Sequence, residues 1–292
     1  MSTRISVIVP SRGRPKILTR MVSSVFEKAL SKGNVEVVLL LDKDDQESLQ
    51  LSFEEYQVVR LVGDQMSMGA RIIKCVEAAS GEILVITNDD VIVQTKGWDE
   101  LICSTSGSFA DGIYLLYPDD GFKNKKLATF PVFSKHAVSL GLLDGLNEFQ
   151  GSFIDLHLLE IFQRIKHRGH NRIRYLEKIL FEHMHYRLGK GAWDSTYARR
   201  DRFQDGPVFS SLNGARKLMA GNFWKKIKGK TDLNPLPLKS KSKSWIVYIF
   251  DLILDNGLPL NIRIWRGFWF LCHQKIGPFI ISLAALIKIR PK

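Results

Sequence analysis

The stretch EILVITNDDV, residues 82–91, sets a β-branched apolar run directly against two adjacent carboxylates. Glu82–Thr87 reads as a strand buried on both faces, and Asn88-Asp89-Asp90 as the loop leaving its carboxyl end. Working back toward the N-terminus, the same kind of strand recurs at Arg4–Pro10 (RISVIVP), Val35–Leu41 (VEVVLLL) and Tyr56–Val62. Helical patterns lie between them: Pro15–Leu30 with proline in its first turn, a short Glu47–Tyr56, and Gly69–Ala79 with Ile72, Ile73, Val76 and Ala79 on one side. Alternating strands and helices predict an α/β fold with a doubly wound, mostly parallel sheet. Such sheets bind ligands beyond the carboxyl ends of their strands. Three polar loops fall there: Ser11-Arg12-Gly13-Arg14, Asp42-Lys43-Asp44-Asp45 and Asn88-Asp89-Asp90.

Beyond residue 113 the pattern is less regular. Ile113–Tyr117 and Thr129–Phe133 read as strands, Phe153–Arg168 as a helix, and Leu176–Met184 as either; residues 225–244 read as a polar linker. Three scattered cysteines, Cys75, Cys103 and Cys272, fit neither a disulfide framework nor a zinc module. The N-terminus runs into its first strand without the charged and apolar regions of a signal peptide, which predicts a domain that stays in the cytoplasm.

Charge divides the chain. Residues 213–292 hold 15 Lys or Arg against Asp232, Asp251 and Asp255, a net of +12 that equals the charge of the whole chain, so residues 1–212 are neutral. The charge therefore divides the chain into a neutral α/β domain, 1–212, and a basic helical segment, 213–292. Four of the six tryptophans, Trp224, Trp245, Trp265 and Trp269, lie in that segment, which also carries the apolar runs WIVYIFDLIL, IRIWRGFWFL and IGPFIISLAALI. Tryptophan interleaved with Lys and Arg favours the headgroup layer of an anionic membrane. The run Gly277–Ile287 is too short to span a bilayer as a helix, so the segment is expected to dock on the membrane. The alternative is a helical cap packed on the body. Nucleic acid is disfavoured as a partner, because the apolar runs are too long for a solvated phosphate-contacting arm.

Adjacent carboxylates on a loop repel unless a cation offsets them. A divalent ion bridging Asp89 and Asp90 to a diphosphate would do so and would stabilise a departing nucleotide. No GxGxxG follows the first strand, and the chain contains no GxxxxGK[ST] or GxSxG. Dinucleotide, P-loop and hydrolase readings therefore lack their defining loops.

In order and spacing, VIVPSRGRP (7–15), VVLLLDKDD (37–45), MGARIIKCVEAASGEILVITNDDV (68–91), GWDE (97–100), FPVFSK (130–135) and FQGSFIDLHLLEIFQRIKHRG (149–169) resemble family 2 glycosyltransferases of the GT-A fold, and EHMHYRLGKGAWDSTY (182–197) resembles the closing segment of one branch. The resemblance covers about residues 1–200. It implies inverting transfer of a sugar from a nucleoside-diphosphate donor to a glycan or lipid-linked acceptor in cell-surface polysaccharide or lipopolysaccharide synthesis, with Mn²⁺ or Mg²⁺. The enzyme would sit peripherally on the inner face of the cell membrane.

Carried onto this chain, the resemblance makes Pro10, Ser11 and Arg12 nucleotide contacts, Asp42 an acceptor from the base, and Arg71 a residue facing the donor. Asn88-Asp89-Asp90 stands in the place of the DxD motif, with Asp89 near the sugar or ribose and Asp90 a metal ligand; Asn88 departs from the usual first aspartate. Asp155 is the expected base, although Phe153-Ile154 replaces the usual acidic pair, with Glu148 and Asp144 in reserve. His183 or His185, with His183 favoured, is the expected histidine ligand. The rival readings are a sugar-nucleotide nucleotidyltransferase and a catalytically inactive scaffold.

Overall fold

The computed structural model describes residues 4–194, 201, 203–235 and 245–277. Eight strands form one sheet in the order β3-β2-β1-β4-β7-β6-β8-β5. They are β1 (Ile5–Ser11), β2 (Val35–Asp42), β3 (Val58–Gly63), β4 (Ile83–Ile86), β5 (Val91–Val93), β6 (Leu115–Asp119), β7 (Val132–Ser134) and β8 (Ile173–His183). β1 pairs in parallel with β2 and β4, and β2 with β3. Beyond β4 the sheet turns mixed: β7 is antiparallel to β4 and β6, β8 is parallel to β6, and β5 is antiparallel to β8. The α/β doubly wound fold read from the sequence is the fold observed.

Among the described residues the α-helices are α1 (Pro15–Lys28), α2 (Gln46–Leu49), α3 (Met68–Ala78), α4 (Trp98–Gly107), α5 (Lys135–Ser139), α6 (Ile154–His167), α7 (Asp205–Ser211), α8 (Asn213–Ile227), α9 (Trp245–Ile253) and α10 (Leu260–Leu271). Side chains alternate across each strand, so the sheet feeds two cores. Val7 and Val9 of β1 join Met21 and Val25 of α1 and Trp98 of α4 on one face. Ile8 of β1 joins Ile72 and Val76 of α3 and Leu158, Ile161 and Phe162 of α6 on the other.

The expected helix over 47–56 is confined to α2. Asp45 caps its start, with Ser48 N donating to Asp45 Oδ1 at 3.3 Å. Arg60 ends it, donating to the carbonyl of Leu49 at 3.0 Å and to that of Leu51. The chain then folds back so that Tyr56 stacks on Phe26, ring centroids 4.7 Å apart. Leu176–Met184, open between strand and helix, lies in β8 up to His183.

Helix α3 is bolted to the segment before α6. Gly69 N donates to Phe149 O at 3.0 Å and Ser67 Oγ to Asn147 O at 2.6 Å. A Cβ on Gly69 would stand 1.7 Å from Leu146 O, so only glycine permits this approach.

The basic segment shares the body's core. Met219 and Phe223 of α8, Tyr248 and Leu252 of α9, Leu258, and Phe270 of α10 belong to the cluster that holds Phe153, Phe162 and Phe209. The boundary expected at 212/213 falls between α7 and α8, both on this core. The expected linker from 225 begins inside α8; residues 236–244 and 278–287, the latter most of the last apolar run, lie outside the described residues. No described helix is long and apolar enough to cross a membrane.

Candidate active site

The chain winds from β1 through β2 to β3 on one side and returns to β4 on the other, so the switch point of the sheet lies between β1 and β4. At that crevice Ser11 Oγ, the last residue of β1, donates to Asp89 Oδ2 at 2.8 Å. Gly13, at φ +65°, turns the chain so that the two arginines flanking it serve different carboxylates. Arg12 bonds Asp42 at the end of β2 and reaches Asp44 at 2.7 Å. Arg14 Nη1 donates to Asp89 Oδ1 at 2.9 Å and lies 3.8 Å from Asp90 Oδ2.

Asp42 is fully buried and is also bonded by Arg71 from α3. Pro10 lies buried within β1, while Asn88 is exposed beside the buried Asp89 and Asp90. The structure therefore gathers Ser11, Arg12, Asp42, Asp89 and Asp90 of the three loops at one edge, with Arg71 reaching in from α3.

Burial pushes the Asp89 carboxyl up to about 6, against the opposing pull of Arg14. For Arg14, burial alone would favour loss of the proton, but the bonds to Asp194 and the charges of Asp89 and Asp90 outweigh it and hold the guanidinium firmly protonated. Asp194 binds Arg14 through both oxygens, Nε to Oδ2 at 2.7 Å and Nη2 to Oδ1 at 3.0 Å.

Arg14 is the residue sequence reasoning left without a role. Its signal was the second arginine of SRGRP, separated from the first by a glycine.

His183 ends β8 with Nε2 3.3 Å from Asp90 Oδ1, its backbone N donating to Asp120 O at 3.0 Å. His185 Nδ1 accepts from Arg187 N at 3.1 Å, and its ring stacks on Tyr186 at 4.5 Å and meets His183 edge-on at 5.1 Å. Among the described residues no three His, Cys, Asp or Glu side chains form a ready-made metal cage. A carboxylate and an imidazole facing each other still suit Mn²⁺ or Mg²⁺, which commonly complete their shells with phosphate oxygens and water. The donor set of Asp90 and His183 fits the metal on those terms.

Asp155 stands in the first turn of α6, half-buried, its Oδ1 accepting from Leu156 N at 2.8 Å. The residue at the helix cap is Phe153, held at φ +66°. A non-glycine residue there costs about 1–3 kcal/mol. The ring is anchored among Phe209, Trp269, Phe270 and His273, with centroids 5.1 to 6.4 Å away. The segment entering α6 is held by Asp205, whose carboxylate accepts from the backbone N–H groups of Gln150, Gly151 and Ser152 at 2.6 to 2.9 Å. Glu148 and Asp144 are both exposed.

Comparison with known proteins bears on this arrangement. The model of glycosyl transferase family 2 matches residues 6–119, which carry the strands and loops of the site from β1 through Asp90. A search of curated proteins finds no match. Among solved structures, S. aureus TarS superposes with a TM-score of 0.52 at 14% identity, over 89% of this chain and 51% of that one, so the chain spans about half the length of TarS. S. aureus TarS 1–349 in complex with UDP-GlcNAc gives 0.52 at 13% identity, over 91% and 89%, and its complex with UDP gives 0.50 at 14%, over 85% and 79%. At such identities the likeness is one of fold. Residues 6–119 thus match the model of glycosyl transferase family 2, within a chain that has the α/β fold of the GT-A type.

Proposed function

We propose that this protein transfers a sugar, with inversion, from a nucleoside-diphosphate sugar to a glycan or lipid-linked acceptor in cell-surface polysaccharide synthesis. The observation that carries the reading is the convergence of Asp42, Asp89 and Asp90 with Arg12, Arg14 and Arg71 at the switch point between β1 and β4. Asp42 accepts from the nucleotide base, Ser11 and Arg12 line the nucleotide beside Pro10, and Asp89 faces the ribose or sugar. Asn88 stands exposed at the rim. TarS fragments of the same fold were solved with UDP and with UDP-GlcNAc, which supports a nucleotide-sugar donor here.

Asp90 and His183 would hold a Mn²⁺ or Mg²⁺ ion. When bound, the ion neutralises charge on the diphosphate leaving group. Asp155, oriented by the bond from Leu156 N, takes the proton of the acceptor hydroxyl as that oxygen attacks the anomeric carbon. Inversion follows from a single displacement.

Residues 1–212 act as the catalytic body and 213–292 as the docking segment, a division of roles within a shared core. The outward face of α9 and α10 exposes Phe250, Leu254, Ile264, Trp265 and Phe268, each more than half accessible. An apolar patch of this kind, on the part of the chain that carries the +12, suits the inner surface of an anionic membrane. There the site would meet a lipid-anchored acceptor.

The test is turnover of a panel of nucleotide sugars, read as release of the nucleoside diphosphate with water or added lipid-linked glycans as acceptors. One donor should be turned over, and the rate should fall when Asp155 becomes Asn. No turnover of any donor, with nucleotide binding intact, would favour a binding protein built on an enzyme fold.

A further inference from the structure

Arg14 is gripped on two sides. One edge of its guanidinium faces Asp89 and Asp90, and the other is held by both oxygens of Asp194, which lies 180 residues further along the chain. Its side chain is buried, with a relative accessibility of 7%, so water screens these charges weakly. The bidentate pair fixes the guanidinium plane, which a lysine could not do in the same way.

The two carboxylates are not treated alike. Asp89 has one oxygen on Ser11 and the other on Arg14, whereas Asp90 Oδ1 faces His183 and its Oδ2 stands 3.8 Å from Arg14. Three carboxylates, those of Asp89, Asp90 and Asp194, stand around the guanidinium of Arg14. A divalent ion held by Asp90 would be repelled by the guanidinium of Arg14, whose Nη1 stands 3.8 Å from Asp90 Oδ2.

We propose that Arg14, oriented by Asp194, is a positioning residue that reserves Asp89 and sets the cation affinity of Asp90. A divalent ion alone then binds weakly, and binds well only together with a nucleoside diphosphate, whose negative charge offsets the repulsion. Metal and donor would enter as a unit. The inference rests on the metal reading above.

Electron paramagnetic resonance titration of the full chain with Mn²⁺, first without nucleotide and then with UDP or GDP, tests it. Arg14→Gln removes the charge and should bind Mn²⁺ alone by roughly tenfold or more tightly than the parent, while gaining less from added nucleotide. Arg14→Lys keeps the charge but not the bidentate grip of Asp194, and should stay closer to the parent than Arg14→Gln in affinity for Mn²⁺ alone. Asp194→Asn, on the loop after β8, removes a negative charge and should bind Mn²⁺ several-fold more weakly. A structural defect would weaken binding in every variant, so the opposite shifts of Arg14→Gln and Asp194→Asn are the diagnostic. Equal or weaker Mn²⁺ binding in a folded Arg14→Gln, or unchanged binding in Asp194→Asn, overturns the inference while leaving the metal site standing. No Mn²⁺ binding by the parent, with or without nucleotide, overturns both.

Discussion

Arg266 Nη1 donates to the buried Oε2 of Glu160 at 2.5 Å, tying α10 to α6 across 106 residues of sequence. The other oxygen of Glu160 accepts from Arg164 Nη2 at 2.5 Å and lies 3.0 Å from Arg216 Nε. Burial alone would raise the Glu160 carboxyl, but the three guanidiniums overwhelm it and hold the group well below the usual carboxylate range. Arg164 also reaches Asp255 at 2.6 Å, so α6, α8, α10 and the turn after α9 share one charge network.

Removing one partner from such a network strands the rest. Glu160→Gln leaves three buried guanidiniums short of their shared counter-charge and should cost about 3–5 kcal/mol, read as a lower denaturation midpoint in urea. Arg266→Met should cost less, because Glu160 keeps two arginines. A chain cut after residue 244 should fail to fold stably, since it loses Tyr248, Leu252, Leu258 and Phe270 from the core.

His157 gives stability a pH dependence of its own. It is fully buried in α6 beside Phe149, and neither ring nitrogen has a hydrogen-bond partner among the described residues. Burial, helped by Arg216 and opposed by Glu160, pushes it down to about 3. The unfolded chain then binds a proton that the folded one refuses below about pH 6.5. This contribution is present above that pH and is lost as pH falls toward 3, by about 2 kcal/mol between pH 7 and 5. His273, half-buried and also shifted down by burial, adds in the same direction. Melting temperature should therefore drop from pH 7 to 5, and His157→Leu should flatten most of that slope while folding normally at pH 7.

The local half of the fold was legible in the sequence. Val35–Leu41 is a near-continuous apolar run and Ile83–Ile86 a continuous one, as strands buried on both faces require, and their loops carried the acids of the site. What escaped was long-range or short. β5 has three residues and shows no periodicity. α4 starts at Trp98 behind Gly97 at φ +75°, pinned by Asp99 accepting from Leu30 N and Ser31 N at 3.0 and 2.8 Å, contacts made about 70 residues away. Composition alone could not separate the two faces of α9 and α10: Tyr248 and Phe270 enter the core, whereas Phe250 and Phe268 stay outside it. Arg14 met Asp194 by the same kind of distant closure.

For the proposed base, Asp155→Asn keeps size and packing but cannot take a proton. Turnover should fall by about a hundredfold or more, with nucleotide affinity unchanged. A smaller loss would move the role to Glu148 or Asp144.

The outward face of α9 and α10 can be altered without touching the core. Phe250→Ser, Trp265→Ser and Phe268→Ser together should leave the melting temperature nearly unchanged but strip the protein from anionic vesicles in a sedimentation assay. The parent should bind anionic vesicles better than neutral ones, and added salt should remove only part of that binding, because the apolar contribution is not screened.

The central claim is that the edge holding Asp42, Asp89 and Asp90 is a nucleotide-sugar donor site. Isothermal titration calorimetry with UDP, GDP, CDP and dTDP, each with Mn²⁺ and again with EDTA, tests it most directly. One nucleotide should bind with Mn²⁺ present, weaken by at least about tenfold in EDTA, and lose its affinity in Asp42→Ala. Binding by none of the four, or binding indifferent to both EDTA and Asp42→Ala, would contradict the account.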